Sequence, residues 1–494
     1  MASEPQTTEL KRAFGMREAI TVTAGTVIGV GLFTTGGNVV GEMGSGVILA
    51  TFLAMVISIF PALLYAEMGA ALPYAGGTYM YASLGLSRPF GFLAGWNFVM
   101  SLIAVTGGEA LAFSYYFKTV FLAFGVELPI NDVVLACLAL VVFIITNVRG
   151  VQMTGRLQNG FMFFFWGVAI LWFLTMIPSV QLPNFVQTPS FLTDMGAGGF
   201  IAAVAMIWWC FAGFETCCAM GEEIKFPHIN IPRALILSPF VIFIVNAAFQ
   251  WFLLGIVPAD GLDAIAESSA PYAEAMMTAG ILGVPLALLA LGVAFGGDFS
   301  TLNASIAVPP RYLYTMARDG ALPKVFAKLH PRYQTPYVSI IVLGVITIAL
   351  VATSSLDYIA EVSLFADLFY YVIGIAAAMG LRKKLPAMKR PFKVKGIAVG
   401  APVSMVIYVV MLTQLGTDAI VTGVIWCVLG LAIYLGCRLH YGVPAKTDYR
   451  IPETDDPSAA EQKKMDREYY IWIGVVVAGI VIIAAMYLVP ALML

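Results

Sequence analysis

Apolar residues in this chain gather into stretches of about 20, the length that spans roughly 30 Å of hydrocarbon as a helix. Such stretches lie near residues 17–40, 46–72, 89–117, 131–148, 158–178, 197–221, 234–257, 281–309, 337–353, 358–381, 396–416, 418–437 and 471–493. They predict thirteen membrane-crossing helices joined by short loops carrying Gly, Pro, Asn and Asp, the residues that punctuate turns. The boundary at 416–418 is the softest. The longest polar stretch, about 438–470, contains PETDDPSAAEQKKMDRE and reads as a linker.

Charge gives these helices an orientation. With the N-terminus inside, 26 of the 27 Lys and Arg fall on one side of the membrane, and Lys118 alone falls opposite. The bias predicts a cytoplasmic N-terminus and, after thirteen crossings, an extracellular or periplasmic C-terminus. The run RKKLPAMKRPFKVK reads as the main topology determinant, with contact to anionic lipid open to it. The first residues, MASEPQTTELKR, lack the apolar core of a cleaved leader, so the first span is expected to be retained.

Composition narrows the class. The chain is 60% hydrophobic and 11% charged, against about 25% charged in soluble domains. A formal net charge of −2 argues neither for nor against nucleic acid, and the lack of a basic domain leaves such binding unsupported. The six cysteines (Cys137, Cys210, Cys217, Cys218, Cys427 and Cys437) all sit in apolar segments, so neither a disulfide framework nor a metal site is expected. No HExxH or GxSxG motif occurs, which argues against an enzyme. Nor is there a pore loop of filter residues, as a channel would need. His228, His330 and His440 fall in predicted loops, away from any proton relay.

Two helices are expected to break. Residues 25–33 read GTVIGVGLF, although each glycine inside a helix costs about 1 kcal/mol relative to alanine. The sixth stretch carries WWCFAGFETC, with Gly213 near its middle and Gly221 near its end. Unwound backbone survives at membrane depth only where it faces a cavity or ligand. Five is odd, so an offset of five helices between the breaks predicts two repeats inserted in opposite senses. Gly69 and Gly95, by contrast, read as sites of close helix packing.

A break offers N–H groups to an anion and carbonyls to a cation. A zwitterion could set its carboxylate near Val30 and Gly31 and its ammonium near the carbonyls of Thr26 and Phe211, with Trp209 and Phe214 as walls. Glu215 adds an ionisable group in a membrane segment, which is costly and by default functional. Glu67, Glu109, Asp298 and Asp367 also lie at apparent membrane depth, with no Lys or Arg clearly at comparable depth. Glu67 reads as bonded to neighbouring backbone. Glu109, Asp298 and Asp367 could each attract a cation, carry a proton or bond a hydroxyl, and Glu109 joins the substrate-binding set. Unpaired acids favour a cationic cargo or proton movement over an anionic cargo. The aromatic run FMFFFW at 161–166 reads as lipid contact or packing.

These residues match a known pattern. GTVIGVGLF, YAEMGAALPYAGGTYMYASLG at 65–85, FAGFE at 211–215 with GEEIKFPHINIPRA after it, RYLYTMARDGALP at 311–323 and LRKKLPAMKRPFKV follow one another in order. Together they resemble the amino acid–polyamine–organocation transporter superfamily, whose members share the LeuT-type fold. The resemblance runs from about residue 12 to 437. It implies an all-α membrane protein with a cytoplasmic segment 1–16 and a ten-helix core at 17–381. That core comprises two inverted five-helix repeats, about 17–178 and 197–381. Helices 11 and 12 follow at 396–437, then a cytoplasmic linker at 438–470 and an extra helix at 471–493.

By position, the resemblance places substrate at Thr26, Val27, Ile28, Gly29, Val30 and Gly31, and at Phe211, Ala212, Gly213, Phe214 and Glu215. Trp209 matches a position used as an aromatic gate, and Asn303 lies in an eighth-helix region that often faces the site. Glu215 matches an acid tied to proton-sensitive conformational change. Glu215, Asp298, Ser300 and Thr301 are coupling candidates, with proton or sodium left open; no cofactor is implied. Many relatives carry a lysine in the fifth helix, and spacing from Gln158 puts Phe165 there instead.

The implied function is secondary transport of amino acids or small organic amines by alternating access, with cationic cargo slightly favoured. A neutral amino acid permease is the close alternative, and a non-transporting nutrient sensor with the same fold a more distant one. The expected surroundings are lipid bilayer and a small-molecule substrate, as a monomer or homodimer.

Overall fold

Apolar segments in hydrocarbon have to bond their own backbone groups, and helix is how a single segment does so. The computed structural model describes residues 14–25, 27–74, 76–149, 155–185, 195–221, 224–353, 355–442 and 456–493. The first span is split into α1 (Met16–Gly25) and α2 (Gly36–Met43), with a π-helical turn at Gly31–Thr35 leading into α2. Then come α3 (Val47–Ala71), the short α4 (Gly77–Gly85), α5 (Arg88–Leu122), α6 (Asp132–Val148) and α7 (Gly155–Met176). The sixth span is also split, into α8 (Gly196–Trp209) and α9 (Thr216–Ala219), and is followed by α10 (Pro227–Ile256).

Two short helices, α11 (Leu262–Ala266) and α12 (Pro271–Thr278), precede the eighth span. That span comprises α13 (Val284–Leu291), a π-helical segment at Gly292–Asp298, α14 (Phe299–Ala307) and α15 (Pro309–Arg318). The chain continues through α16 (Tyr337–Thr353), α17 (Leu356–Lys384), α18 (Ile397–Leu412), α19 (Thr417–Tyr441) and α20 (Ala459–Met493). Among the described residues, eight helical stretches are long and apolar enough to cross a membrane, and four shorter apolar helices accompany them. The chain is an all-α membrane protein.

Helix starts follow local chemistry. The Asn131 side chain accepts from the N–H of Val133 at 2.9 Å, and Ser355 Oγ accepts from the N–H of Tyr358 at 3.3 Å. Each caps an otherwise orphaned first turn. α3 lies along α10, and α5 along α17. Large rings such as Tyr65, Trp172, Trp208 and Tyr371 are fully buried between helices. The outer faces of α18 to α20 stay apolar and exposed, with Val399 71% and Leu439 89% accessible, as suits lipid contact.

Two expectations change. Glu67 is not confined to its neighbouring backbone and is not without a cation. It pairs with Arg382, whose Nε lies 2.8 Å from Oε1, and with Arg390 at 3.3 Å, and it also accepts the N–H of Val394 at 2.8 Å. Part of the basic run therefore folds back onto the end of α3. α20 begins at Ala459, within the stretch that reads as linker, because AAEQKKMDREYY continues the helix with a polar first part. It is tied to α10 by an Arg233–Asp466 ion pair, by Trp251 Nε1 donating to the Met486 carbonyl at 2.7 Å, and by the Tyr487 hydroxyl donating to the Ala247 carbonyl at 3.0 Å.

Candidate functional site

Both breaks lie where the glycines predict them. α1 ends at Gly25, and the second half of the span makes its first backbone bond from Phe33 to the Gly29 carbonyl. The N–H groups of Val30, Gly31 and Leu32 therefore open a half-helix. In the sixth span, residues 210–215 form turns between α8 and α9. Gly213 has φ 95°, a conformation other residues adopt only under strain. The breaks are joined directly, because the Cys210 thiol donates to the Gly31 carbonyl at 3.0 Å.

A pocket lies between them. Its wall includes Val27, Val30 and Gly31 from the first break and Trp209, Ala212, Gly213 and Glu215 from the sixth, with Glu109 from α5. It also includes residues outside the predicted set: Phe98, Ser101, Leu102 and Val105 from α5, Thr216, and Asp367 from α17. Val30, Glu109, Trp209 and Glu215 are each at most 5% exposed, so the pocket is screened from bulk solvent. Three carboxyl side chains line it, and no Lys, Arg or His is among its wall residues.

Hydrogen bonds fix the wall. Trp209 Nε1 donates to Ser363 Oγ at 3.0 Å, which holds the indole in place. The Tyr371 hydroxyl donates to Glu215 and accepts the N–H of Gly213 at 3.0 Å, so one phenol clamps the sixth break and its acid together. Neither Cys210 nor Tyr371 has a mark in the sequence; each matters through a contact more than 150 residues away. Asp367 was legible as an acid at membrane depth, but its place on the pocket wall depends on how α17 packs.

The glycine at 29 has a different neighbour from the expected substrate. A Cβ there would strike the Glu109 carboxylate, which accepts the N–H of Val30 at 2.9 Å. Glu109 thus occupies the anion position of the first break, rather than standing ready only for a cation.

Other predicted residues lie around the pocket rather than on its wall. Ile28 and Gly29 belong to the break but not to the lining, Phe211 is fully buried, and Phe214 packs on Tyr371 with ring centroids 5.2 Å apart. Asn303 is 4% exposed on α14 and does not reach the lining. Thr26 lies outside the described residues. Ser300 and Thr301 turn their hydroxyls onto the Gly25 carbonyl at 3.2 and 3.0 Å, clamping the end of α1 against the eighth span. Ser300 Oγ also lies 3.8 Å from Met162 Sδ of α7. Phe165 is enclosed by the rings of Phe33 and Phe249 at 5.8 and 5.9 Å. Asp298 is completely buried at the end of the π-helical segment and faces Glu109.

Comparison with known proteins agrees with this architecture. A family model described as amino acid permease matches residues 14–436. An uncharacterised transporter of Mycobacterium tuberculosis is 28% identical over 377 residues, covering 76% of this chain and 81% of the relative. The branched-chain amino acid permease BcaP of Bacillus subtilis is 25% identical over 446 residues, 87% of this chain and 94% of the relative. A methylthioribose transporter of the same organism is 25% identical over 454 residues, 89% and 96% respectively. With two discontinuous helices five spans apart and a match over most of its length, the chain has a LeuT-type fold and belongs to the amino acid permease family.

Proposed function

We propose that the protein is a secondary transporter that moves small amine-bearing solutes, amino acids or organic amines, by alternating access around the pocket between the two breaks, with its N-terminus in the cytoplasm. The observation that carries the reading is the pocket wall itself. Unwound backbone from two helices meets three carboxyl groups (Glu109, Glu215 and Asp367) and no basic side chain. Burying acids without a cation is costly, and a cargo ammonium offsets that cost. Cationic cargo is therefore the favoured class.

A second reading has its own support. The wall also carries Val27, Val30, Leu102, Val105 and Trp209, which suit an aliphatic side chain, and one relative is named a branched-chain amino acid permease. A thermal-shift panel of purified protein with lysine, leucine and putrescine separates the readings, because ligand binding stabilises by RT ln(1 + [L]/Kd). Lysine or putrescine raising the midpoint more than leucine supports cationic cargo. Leucine alone doing so supports the neutral reading.

A further inference from the structure

Glu109 holds the place that a cargo carboxylate would take. Its Oε1 accepts the N–H of Val30 at 2.9 Å, at the opening of the second half-helix, and Gly29 makes room for it. Its other oxygen, Oε2, meets no N–H or O–H donor of another group among the described residues, nor does either oxygen of Asp298, and the two carboxyl side chains are in hydrogen-bond contact with one another. Glu109 is 2% exposed and Asp298 0%, so no bulk water serves these three oxygens. The two acids face one another from the third and eighth spans, the same five-span offset that separates the two breaks.

Their titratable surroundings are few. Tyr116 of α5 gives its hydroxyl to the Phe33 carbonyl at 2.8 Å, and Cys210 gives its thiol to Gly31. Glu215 and Asp367 lie across the pocket. α7 presents Met162 and Phe165 toward this part of the eighth span, and α17 presents Leu356 toward Gly108. Among the described residues, no Lys, Arg or His faces the pair. Two ionised carboxylates in such a place would repel without compensation.

We propose that Glu109 is a built-in stand-in for the cargo's carboxylate: it keeps the anion seat at Val30 while the pocket is empty, and yields it by taking up a proton and turning to Asp298. The proposal rests on the transporter reading above. The count of negative charges at the seat and the pair balances through the exchange. The empty pair holds one proton and one negative charge. An amino acid brings a carboxylate to Val30, and one further proton enters from the same side and neutralises the pair. The seat and the pair together keep one negative charge, now on the cargo carboxylate. The cargo ammonium and the added proton raise the net charge of the site, and the Glu109 hydroxyl donates to Asp298. Release of cargo on the far side releases that proton too, and Glu109 returns to Val30. A cargo without a carboxylate leaves Glu109 in place and needs no proton.

The test compares matched pairs that differ only in the carboxylate: lysine with cadaverine, and leucine with isoamylamine. Binding to purified full-length protein is measured by calorimetry from about pH 5.5 to 8.5, in buffers of different ionisation enthalpy. The expected result is uptake of about one proton per amino acid and none per amine. Amino acid affinity then falls toward tenfold per pH unit in the alkaline range, a dependence that Glu109→Gln abolishes. The wild-type proton count stands even if that variant fails to fold. Equal proton uptake by both members of a pair, none by either, or a slope unchanged in Glu109→Gln overturns the proposal. Binding of amines alone also overturns it while leaving the transporter reading intact; binding of none of the four contradicts both.

Discussion

The thiol of Cys210 and the carbonyl of Gly31 meet at 3.0 Å, and through them the unwound segments of the first and sixth spans are held to one another. Each segment has given up helical bonds, and this contact replaces one of them between the two. A thiol is a weak donor, so a bond of this kind contributes at most about 1 kcal/mol net. Cys210→Ala should slow transport several-fold and loosen the pocket, and Cys210→Ser, which keeps a donor, should recover most of the rate. Transport rates of the two variants, normalised to membrane expression, check this. Equal rates for Ala and Ser would show that the contact is incidental.

Gly213 is the position where the sixth break depends on having no side chain. At φ 95° an alanine costs about 1–2 kcal/mol. Gly213→Ala is expected to lower the thermal midpoint and transport together. Gly160, within α7, has open space where a Cβ would sit and should behave in the opposite sense. There Gly→Ala is expected to be neutral or stabilising by up to about 1 kcal/mol. Midpoints of both variants in detergent, measured side by side, decide the point.

Tyr371 bridges the Gly213 N–H and the Glu215 carboxyl with one hydroxyl. Tyr371→Phe keeps the ring and its packing while leaving both groups without that partner. Unmet buried polar groups cost roughly 1–3 kcal/mol, so cargo affinity should weaken about tenfold or more with little loss of folded protein. Binding affinity and the thermal midpoint, measured on the same preparation, separate this outcome from simple misfolding.

Glu67 makes a test far from the pocket. It gathers Arg382, Arg390 and the Val394 N–H at the end of α3, and its side chain is only about 5% exposed. Removing one member of a buried ion pair costs about 3–5 kcal/mol. Glu67→Gln is expected to be strongly destabilising and to make the segment between α17 and α18 cleavable by limited proteolysis. Protection equal to wild type would mean that this cluster does not hold the segment.

The broken helices were legible because glycine in an apolar stretch is a local anomaly that needs no third dimension to notice. The structure sets the helix starts at Asp132 and Leu356 through local caps, Asn131 and Ser355, which the spans of apolar residues do not register. What the residues did not disclose are the contacts that close over long separations. Glu109 lies 79 residues from Val30 and Glu67 lies 315 from Arg382, so an acid that looked unpaired along the chain proved to be bonded in space. The start of α20 was hidden for another reason. Its polar first turns carry no membrane signature, although Ser458 and Glu461 cap them reciprocally, and the docking of Asp466 on Arg233 holds them in place.

A transporter of this kind requires that solute cross the membrane through the pocket between the breaks. The direct measurement is uptake of labelled lysine, putrescine and leucine into proteoliposomes containing the purified protein, beside protein with Asp367→Asn and Glu215→Gln combined. Passage through the pocket predicts saturable uptake of a cationic solute by the wild type, reduced at least about tenfold when these two wall acids are neutralised. Uptake of a cationic solute that is indifferent to losing both acids would contradict it.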